Sequence, residues 1–165
     1  MGINLRQAKN EELVMSLHMT SKVLFRLRKK ELAPYGITPE GNIVMTAIQQ
    51  LGRKATSAEI ARFTFREPNS VSALLKRMGK KGLVRRFILN RHSVRQIMVL
   101  TKKGQKVFDE INEIKYQSLF NITSFMSDQE EEKFTAQLRQ ILRGLFQVLG
   151  MTRIPNSVIW TELPE

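Results

Sequence analysis

Two helix-start signals twelve residues apart, in the stretch TSAEIARFTFREPNSVSALLKRMGKKGLV at 56–84, constrain this chain more than any other feature. Thr56 and Glu59 have the spacing of a capping box, in which a hydroxyl and a carboxylate satisfy the free amides at a helix start. Pro68 stands where proline suits a helix best, in the first turn. Only a short helix fits between the two signals, so the stretch predicts two short helices joined by a tight turn.

The second of these helices has two unlike sides. Val71, Leu74, Leu75 and Met78 recur at helical spacing and predict a buried stripe. The other side is small, polar and basic, and it consists of Asn69, Ser72, Ala73, Lys76 and Lys80, with Ser70 and Arg77 on one flank. Such a helix matches the second helix of a helix-turn-helix, which can lie in the major groove of DNA.

The positive charge of the chain is concentrated around this motif. Of the 27 Lys plus Arg and 15 Asp plus Glu in the 165 residues, residues 53–104 hold 14 bases and only two acids, Glu59 and Glu67. This segment therefore carries +12, whereas the remainder holds 13 of each sign. This concentration of positive charge in one segment favours a module that binds a polyanion. The alternative is a basic surface that only aids solubility.

Composition narrows the class of protein. Hydrophobic residues make up 42%, and no apolar run approaches the roughly 18 residues of a membrane span, so we expect a globular protein that does not insert into a membrane. Because the chain has no cysteine and no start resembling a signal peptide, we expect a cytoplasmic protein without disulfides. Without a metal constellation, Gly-rich phosphate loop or nucleophile elbow, we expect no metal, no cofactor and no catalysis.

Two helices are predicted before the motif. The apolar spacing of EELVMSLHMTSKVLFRLRKKEL predicts one from about residue 10 to Leu32, after a loose N-terminal arm, with His18 partly buried beside its apolar face. Thr38 as N-cap and Pro39 as the first helical residue predict another that ends near Leu51. The apolar positions of that helix, expected to pack beneath the helix-turn-helix, are Ile43, Val44, Ala47, Ile48 and Leu51.

A change of sequence period follows Gly82. The runs at 84–89 and 94–100 are β-prone and flank a polar turn, which predicts a hairpin. Beside a helix-turn-helix, such a hairpin is expected to act as a wing that reaches the minor groove or the DNA backbone, and the alternative is a hairpin with ordinary solvated charges. The cationic residues near its tip are Arg91, His92 and Arg95.

Two further helices are predicted after the hairpin, over about 102–120 and 128–149. Ser127 and Glu130 form a second capping box before the latter, whose apolar residues fall close to heptad spacing. Together with the first helix they offer more apolar surface than one small core can cover. We therefore expect the helices within 1–33 and 105–150 to form a homodimer interface around the segment 34–104, with no role assigned to the tail at 151–165.

The order of these elements resembles the MarR family of winged-helix transcriptional regulators over roughly residues 11–150. The most specific similarities lie at 36–39, 68–78, 82–86 and 100–104. The resemblance implies a mainly α fold with a small β-hairpin wing, in which a winged helix-turn-helix is flanked by long dimerisation helices. It also implies a homodimer that reads a pseudo-palindromic operator in double-stranded DNA, usually as a repressor, and that often releases DNA when a small-molecule effector binds.

Two groups of site residues follow from the helix pattern and the resemblance. Asn, Ser and Lys side chains suit base edges, whereas Arg side chains mostly meet phosphates. The candidate DNA contacts are Pro68, Asn69, Ser70, Ser72, Ala73, Lys76, Arg77, Arg85, Arg86, Arg91, His92 and Arg95. The candidate lining of a family-like effector cleft is His18, Arg26, Tyr35 and Ile43.

The sequence departs from the family pattern at two places and leaves a second class of function open. The usual Asp-x-Arg of the wing falls on His92 and Val94, and Glu67 stands where a Ser-like N-cap is usual.

An adaptor of the same fold, responsive to an effector and acting through protein contacts without binding DNA, would show negligible and salt-insensitive DNA affinity. Recognition of single-stranded RNA needs an aromatic platform, which Phe87 alone does not supply.

Overall fold

The computed structural model describes residues 5–88 and 96–150, without the side chains of Leu5 and residues 115–121. The described helices are α1 (Leu5–Leu32), α2 (Pro39–Leu51), α3 (Ser57–Thr64), α4 (Pro68–Lys80), α5 (Lys102–Thr123) and α6 (Asp128–Val148), and the strands are β1 (Val84–Ile88) and β2 (Gln96–Leu100). The predicted mainly α fold with one small hairpin is confirmed. The chain divides into two compact units, 1–42 and 43–165.

The first unit is dominated by α1, which begins earlier than the apolar pattern predicted. The expectation of a loose arm is wrong from Leu5 onward, because Arg6, Gln7, Ala8 and Lys9 are all good helix formers even though they form no apolar stripe. The helix ends in a 3₁₀ turn at Ala33–Tyr35, closed by Gly36 in the left-handed region at φ 62°. There the Gly36 N–H donates to the Ala33 carbonyl at 3.0 Å.

Apolar side chains surround α1 instead of forming one stripe. Leu13, Val14 and Met15 are consecutive and each is at least half exposed. At about 100° per residue these three already span some 200° of the circumference. His18, expected to be partly buried, is exposed as well, because no single side of α1 within this unit defines an interior.

The helix α2 has the predicted bounds and a different buried side. Thr38 caps it by accepting from the Gly41 N–H at 3.2 Å. Val44 and Ile48 are buried as predicted, but Ile43 is 44% exposed and Met45, which was not predicted, is fully buried. The reason is rotational: Met45 lies about 80° from the Val44–Ile48 side of the helix, whereas Ile43 lies about 120° from it.

The helix-turn-helix is formed by α3 and α4, which pack on each other in the second unit. Thr56 caps α3 by accepting from the Glu59 N–H at 3.2 Å. The Glu59 carboxylate, predicted to complete a capping box, instead accepts from Arg62 at 2.8 Å. The predicted stripe of α4 is confirmed, since Val71, Leu74, Leu75 and Met78 are all buried. Gly82, at φ 71°, follows the helix as predicted.

The two strands form an antiparallel hairpin whose register runs from Val84 opposite Leu100 to Ile88 opposite Gln96. Its predicted turn lies outside the described residues. On β2 the adjacent residues Ile97 and Met98 are both buried, which breaks the in–out alternation expected of a half-exposed strand. The strand has neighbours besides β1: it contacts α5 and the 3₁₀ turn at Gly52–Lys54, and the Met98 N–H donates to the Ala55 carbonyl at 2.8 Å.

The start of α5 is fastened to the loop between α4 and β1. Thr101 caps the helix by accepting from the Gly104 N–H at 3.0 Å, and its hydroxyl donates to the Gly82 carbonyl at 2.6 Å. The Thr101 N–H donates to the Leu83 carbonyl at 3.0 Å, and Lys103 Nζ donates to the Lys81 carbonyl at 3.1 Å. The backbones are so close that a Cβ at Gly104 would lie 2.0 Å from the Leu83 oxygen.

The last helix, α6, opens with the predicted capping box. The Glu130 carboxylate accepts from both the N–H and the hydroxyl of Ser127 at 2.8 Å, and the Ser127 hydroxyl accepts from the Glu130 N–H at 3.4 Å. The bond from the Ser127 N–H, together with that from its hydroxyl, holds the pKa of Glu130 below its ordinary value near 4.5. Of the described residues of α6, Phe146 is the buried one; the predicted seam is only half-buried at Leu138, Ile141 and Leu142.

Candidate nucleic-acid interface

The exposed side of α4 brings together the predicted base-reading residues. Burial of the apolar stripe turns the opposite side of the helix to solvent. Its 13 residues make a rod about 20 Å long and, with side chains, about 10 to 12 Å across, a diameter that a major groove about 12 Å wide admits. All seven predicted contacts on this helix are exposed: Pro68, Asn69, Ser70, Ser72, Ala73, Lys76 and Arg77.

The first turn of α4 has no side-chain cap. Glu67 occupies the N-cap position in an extended conformation, φ −61° and ψ 137°, and its side chain makes no capping bond. The Glu67 carbonyl does accept from the Val71 N–H at 3.1 Å, so the helix begins regularly despite the unusual residue. Helix starts that lack a side-chain acceptor attract anions through their amides and dipole.

A groove of about 540 Å³ runs between α4, the start of α3 and β1. Its lining includes the hydroxyl residues Ser57 and Ser72 and the cationic residues Lys76, Arg85 and Arg86. Among the described residues, none of these three cations forms an ion pair. Hydroxyl and cationic donors without a protein acceptor are suited to phosphate oxygens.

The electrostatics of the second unit follow the charge segregation in the sequence. All the described Lys and Arg side chains between residues 53 and 104 are exposed. Of the two acids in that segment, Glu59 is paired with Arg62, and Glu67 is exposed at the start of α4. The Arg85 guanidinium lies 5.5 Å from the centre of the Phe87 ring, which limits its motion through a cation–π contact. The net result is a positive surface on both sides of the groove.

The predicted tip of the wing, with Arg91, His92 and Arg95, lies outside the described residues, so its contacts stay predictions. The four predicted effector residues are described. His18 and Arg26 are both exposed on α1, about 12 Å apart along the helix axis. Tyr35 is half-buried in the 3₁₀ turn, and Ile43 is exposed on α2. Their role as a cleft lining also stays a prediction.

Two residues of this region were missed by sequence reasoning. Ser57 lines the groove. The only sequence signal for it was its place at the start of α3, immediately after the N-cap Thr56. Phe65 closes α3 in the left-handed region and stacks on α6. Its sequence neighbourhood showed only that a helix ends there.

Across 5–88 and 96–150, no group of three or more His, Cys, Asp or Glu side chains could hold a metal ion. None of the helices in those ranges combines the length and the apolar character needed to cross a membrane.

Known proteins similar to this chain agree on one fold. No protein-family model matches the chain. It is 22% identical over 134 residues, 81% of this chain and 96% of the other, to an uncharacterised HTH-type transcriptional regulator, YwoH, of Bacillus subtilis (strain 168). A MarR family protein from Bacillus stearothermophilus superposes with a TM-score of 0.66 at 25% identity, covering 87% of this chain and 99% of that one.

The structure of the S. aureus MepR–DNA complex superposes with a TM-score of 0.71 at 24% identity, covering 78% of this chain and 93% of that one. Both superpositions cover more than three quarters of this chain and more than nine tenths of the other. The resemblance read from the sequence is confirmed: the chain has the winged helix-turn-helix fold of the MarR-family regulators.

Proposed function

We propose that this chain is a sequence-specific double-stranded DNA-binding regulator of transcription. It acts as a homodimer on a pseudo-palindromic operator and represses transcription. The observation that carries the proposal is the exposed polar and basic side of α4 beside a groove lined by cations that pair with no described acidic side chain. A helix of this kind reads base edges in the major groove while neighbouring cations neutralise phosphates. YwoH is described as a transcriptional regulator and MepR has been solved with DNA, which supports the same role here.

The residues divide into two roles. Asn69, Ser72 and Lys76 lie on the exposed side of α4, where an amide, a hydroxyl and an ammonium can bond to base edges. Arg85 and Arg86 lie on β1 at the other side of the groove, where they would meet the backbone of the same duplex. Release of that duplex by a small molecule stays a prediction of the resemblance.

The homodimer is supported by apolar surface that the single chain leaves open. Leu13, Val14 and Val23 on α1 are each at least half exposed. At the end of α6, Val148 is 85% exposed, and Leu149, which follows the helix, is 70% exposed. Soluble proteins rarely leave so many large apolar side chains in water unless another surface covers them. A two-fold dimer would place the two copies of α4 about 34 Å apart, one turn of DNA.

The test is a selection of random duplex DNA by the purified protein, followed by affinity measurements across salt concentrations. Replacing Lys76 by Ala should weaken the selected operator by about 1 to 3 kcal/mol and relax discrimination at one position of each half-site. Lys106→Ala removes a cation that is 80% exposed and pairs with Glu110 on α5. Because Lys106 lies outside the groove lining, this control should leave affinity and discrimination unchanged.

Arg86→Ala should behave differently, because phosphate contacts carry no sequence information. We expect affinity for all duplexes to fall by a similar factor and the slope of log K against log salt to flatten by about one unit. Equal binding of the wild type and the Lys76 variant to the operator would contradict the base-reading role of α4. Negligible, salt-insensitive binding by the wild type would instead favour the adaptor function.

A further inference from the structure

The turn between α3 and α4 contains a backbone conformation that its residue does not favour. Phe65 has φ 51° and ψ 43°, and it is the only non-glycine residue with positive φ in the described ranges. A bulky side chain in this left-handed region is an outlier, because its Cβ crowds the following peptide. Such a conformation persists only where surrounding contacts impose it.

The local hydrogen bonds show why glycine would be the ordinary choice. The Arg66 N–H donates to the Ala61 carbonyl at 3.1 Å and the Phe65 N–H donates to the Arg62 carbonyl at 3.3 Å. This pair of bonds is the Schellman motif, whose left-handed position is usually Gly. The chain follows that rule at other helix ends, where Gly36, Gly82 and Gly150 take positive φ. A phenylalanine at this helix end therefore serves a contact that glycine could not make.

That contact is with α6. The Phe65 ring stacks on the Phe146 ring with centroids 4.8 Å apart and planes 25° from parallel. Phe146 is only 6% exposed, whereas Val148, on the opposite side of the same helix turn, is 85% exposed. Near its C-terminal end, α6 thus touches the helix-turn-helix on one side and offers an apolar surface on the other.

We propose that Phe65 is a positioning residue for α4: its stack on Phe146 holds the turn that leads into Pro68, so that the placement of α6 determines the placement of the DNA-reading helix. The inference rests on the proposed function, in which the open side of α6 is covered by the second copy of the chain. Only two residues, Arg66 and Glu67, separate Phe65 from the first residue of α4, and the dihedral angles of this short connection set the direction in which α4 starts. Dimer packing on one side of α6 is in this way connected to DNA reading on the other.

The test is a double-substitution cycle on operator affinity, measured well below the melting temperature. Phe65→Leu and Phe146→Leu each remove a ring and keep an apolar side chain. Aromatic pairs contribute roughly 0.5 to 1.5 kcal/mol beyond burial, so each single variant should bind the operator about two- to tenfold more weakly. The double variant should bind no more weakly than the singles, because the second substitution removes a contact already lost.

Two comparisons separate positioning from a general loss of packing. Phe65→Tyr keeps the ring, and because Phe65 is 40% exposed its hydroxyl can reach water, so affinity should stay within about twofold of the wild type. Phe63→Leu removes a buried ring from α3 outside the stack and should lower stability without a matching loss of affinity. Single variants that bind like the wild type, or losses that multiply in the double variant, would overturn the proposal.

Amide hydrogen exchange without DNA supplies a readout independent of the operator. In Phe146→Leu, the amides of the first two turns of α4 should exchange faster than in the wild type, whereas those of β2 should not change. Uniform acceleration through the second unit, or none in α4, would overturn the inference. If the wild type binds no duplex, the proposed function fails by itself, and the exchange pattern still decides whether α6 holds α4.

Discussion

Gly104 gives the sharpest test of how the DNA-reading unit is joined to the C-terminal helices. It lies in the first turn of α5, and helix propensity alone predicts that Gly104→Ala stabilises the protein by up to about 1 kcal/mol. The structure predicts the opposite. An added Cβ would lie 2.0 Å from the Leu83 carbonyl oxygen and 2.9 Å from its carbon. These atoms belong to the backbone, so no side-chain rotation can relieve the contact.

The magnitude follows from what must move. Overpacking of this kind costs about 1 to 3 kcal/mol. To relieve the contact, α5 must withdraw from the loop by on the order of 1 Å, the amount by which the 2.0 Å contact falls short of an allowed separation. This movement lengthens the bond from the Thr101 N–H to the same Leu83 oxygen, now 3.0 Å. Loss of that bond costs about 1 kcal/mol. After the propensity gain of up to about 1 kcal/mol is subtracted, we expect Gly104→Ala to lower the free energy of unfolding by about 1 to 3 kcal/mol.

The assay is urea unfolding followed by circular dichroism, at one protein concentration because association shifts apparent stability. Gly79→Ala is the matched control: this glycine is also helical, and an added Cβ would lie 3.8 Å from the nearest atom, the Val84 oxygen, in ordinary contact. The control should be neutral or slightly stabilising. A Gly104→Ala protein as stable as the wild type would refute the close approach between α5 and the loop at 81–83.

Two further predictions concern the helices outside the DNA-reading unit. Replacing Val23 and Leu24 together by Glu should weaken self-association by at least about tenfold in sedimentation experiments. Both side chains are exposed apolar surface on α1, and in the double variant a partner that covers this surface would have to bury two carboxylates. Lys22→Glu is the control: Lys22 is already polar and exposed, so this variant should associate like the wild type. The pKa of Glu130 is held below its ordinary value by bonds from Ser127, so its contribution to stability is present above pH 4.5 or so and is lost as the pH falls through the lower folded value. Glu130→Gln should therefore unfold with a shallower acid dependence below that pH, and identical acid limbs for the two proteins would contradict the capping box.

Local chemistry was enough to place most helix ends. Thr38, Thr56 and Ser127 were predicted to cap helices and each accepts a backbone N–H. Such caps depend on residues within one turn of each other, and the apolar stripe of α4 depends on spacing within one helix. These features are visible in sequence because both partners of each interaction are neighbours in the chain.

The exposed side of α4 was predicted for the same reason, whereas features set by a distant partner were not. The paired burial of Ile97 and Met98 involves neighbours outside the hairpin, among them the segment at 52–55, more than forty residues earlier. Met45 is buried and Ile43 is exposed, and this choice depends on which side of α2 the other elements contact. Propensity and periodicity describe one segment at a time, so neither of these two burial patterns can be predicted from them.

Phe65 shows how such a distant partner can be detected once the structure is known. Sequence rules for helix ends predict a glycine in its left-handed position, and they predict correctly at Gly36, Gly82 and Gly150. At the exception, Phe65, the side chain reaches another helix at Phe146, 81 residues later in the chain. A local rule that fails at Phe65 and holds at Gly36, Gly82 and Gly150 locates a nonlocal constraint, because the strain must be offset by a contact outside the local segment. For this fold, that contact joins the helix that would meet the partner to the turn before the helix that would meet DNA.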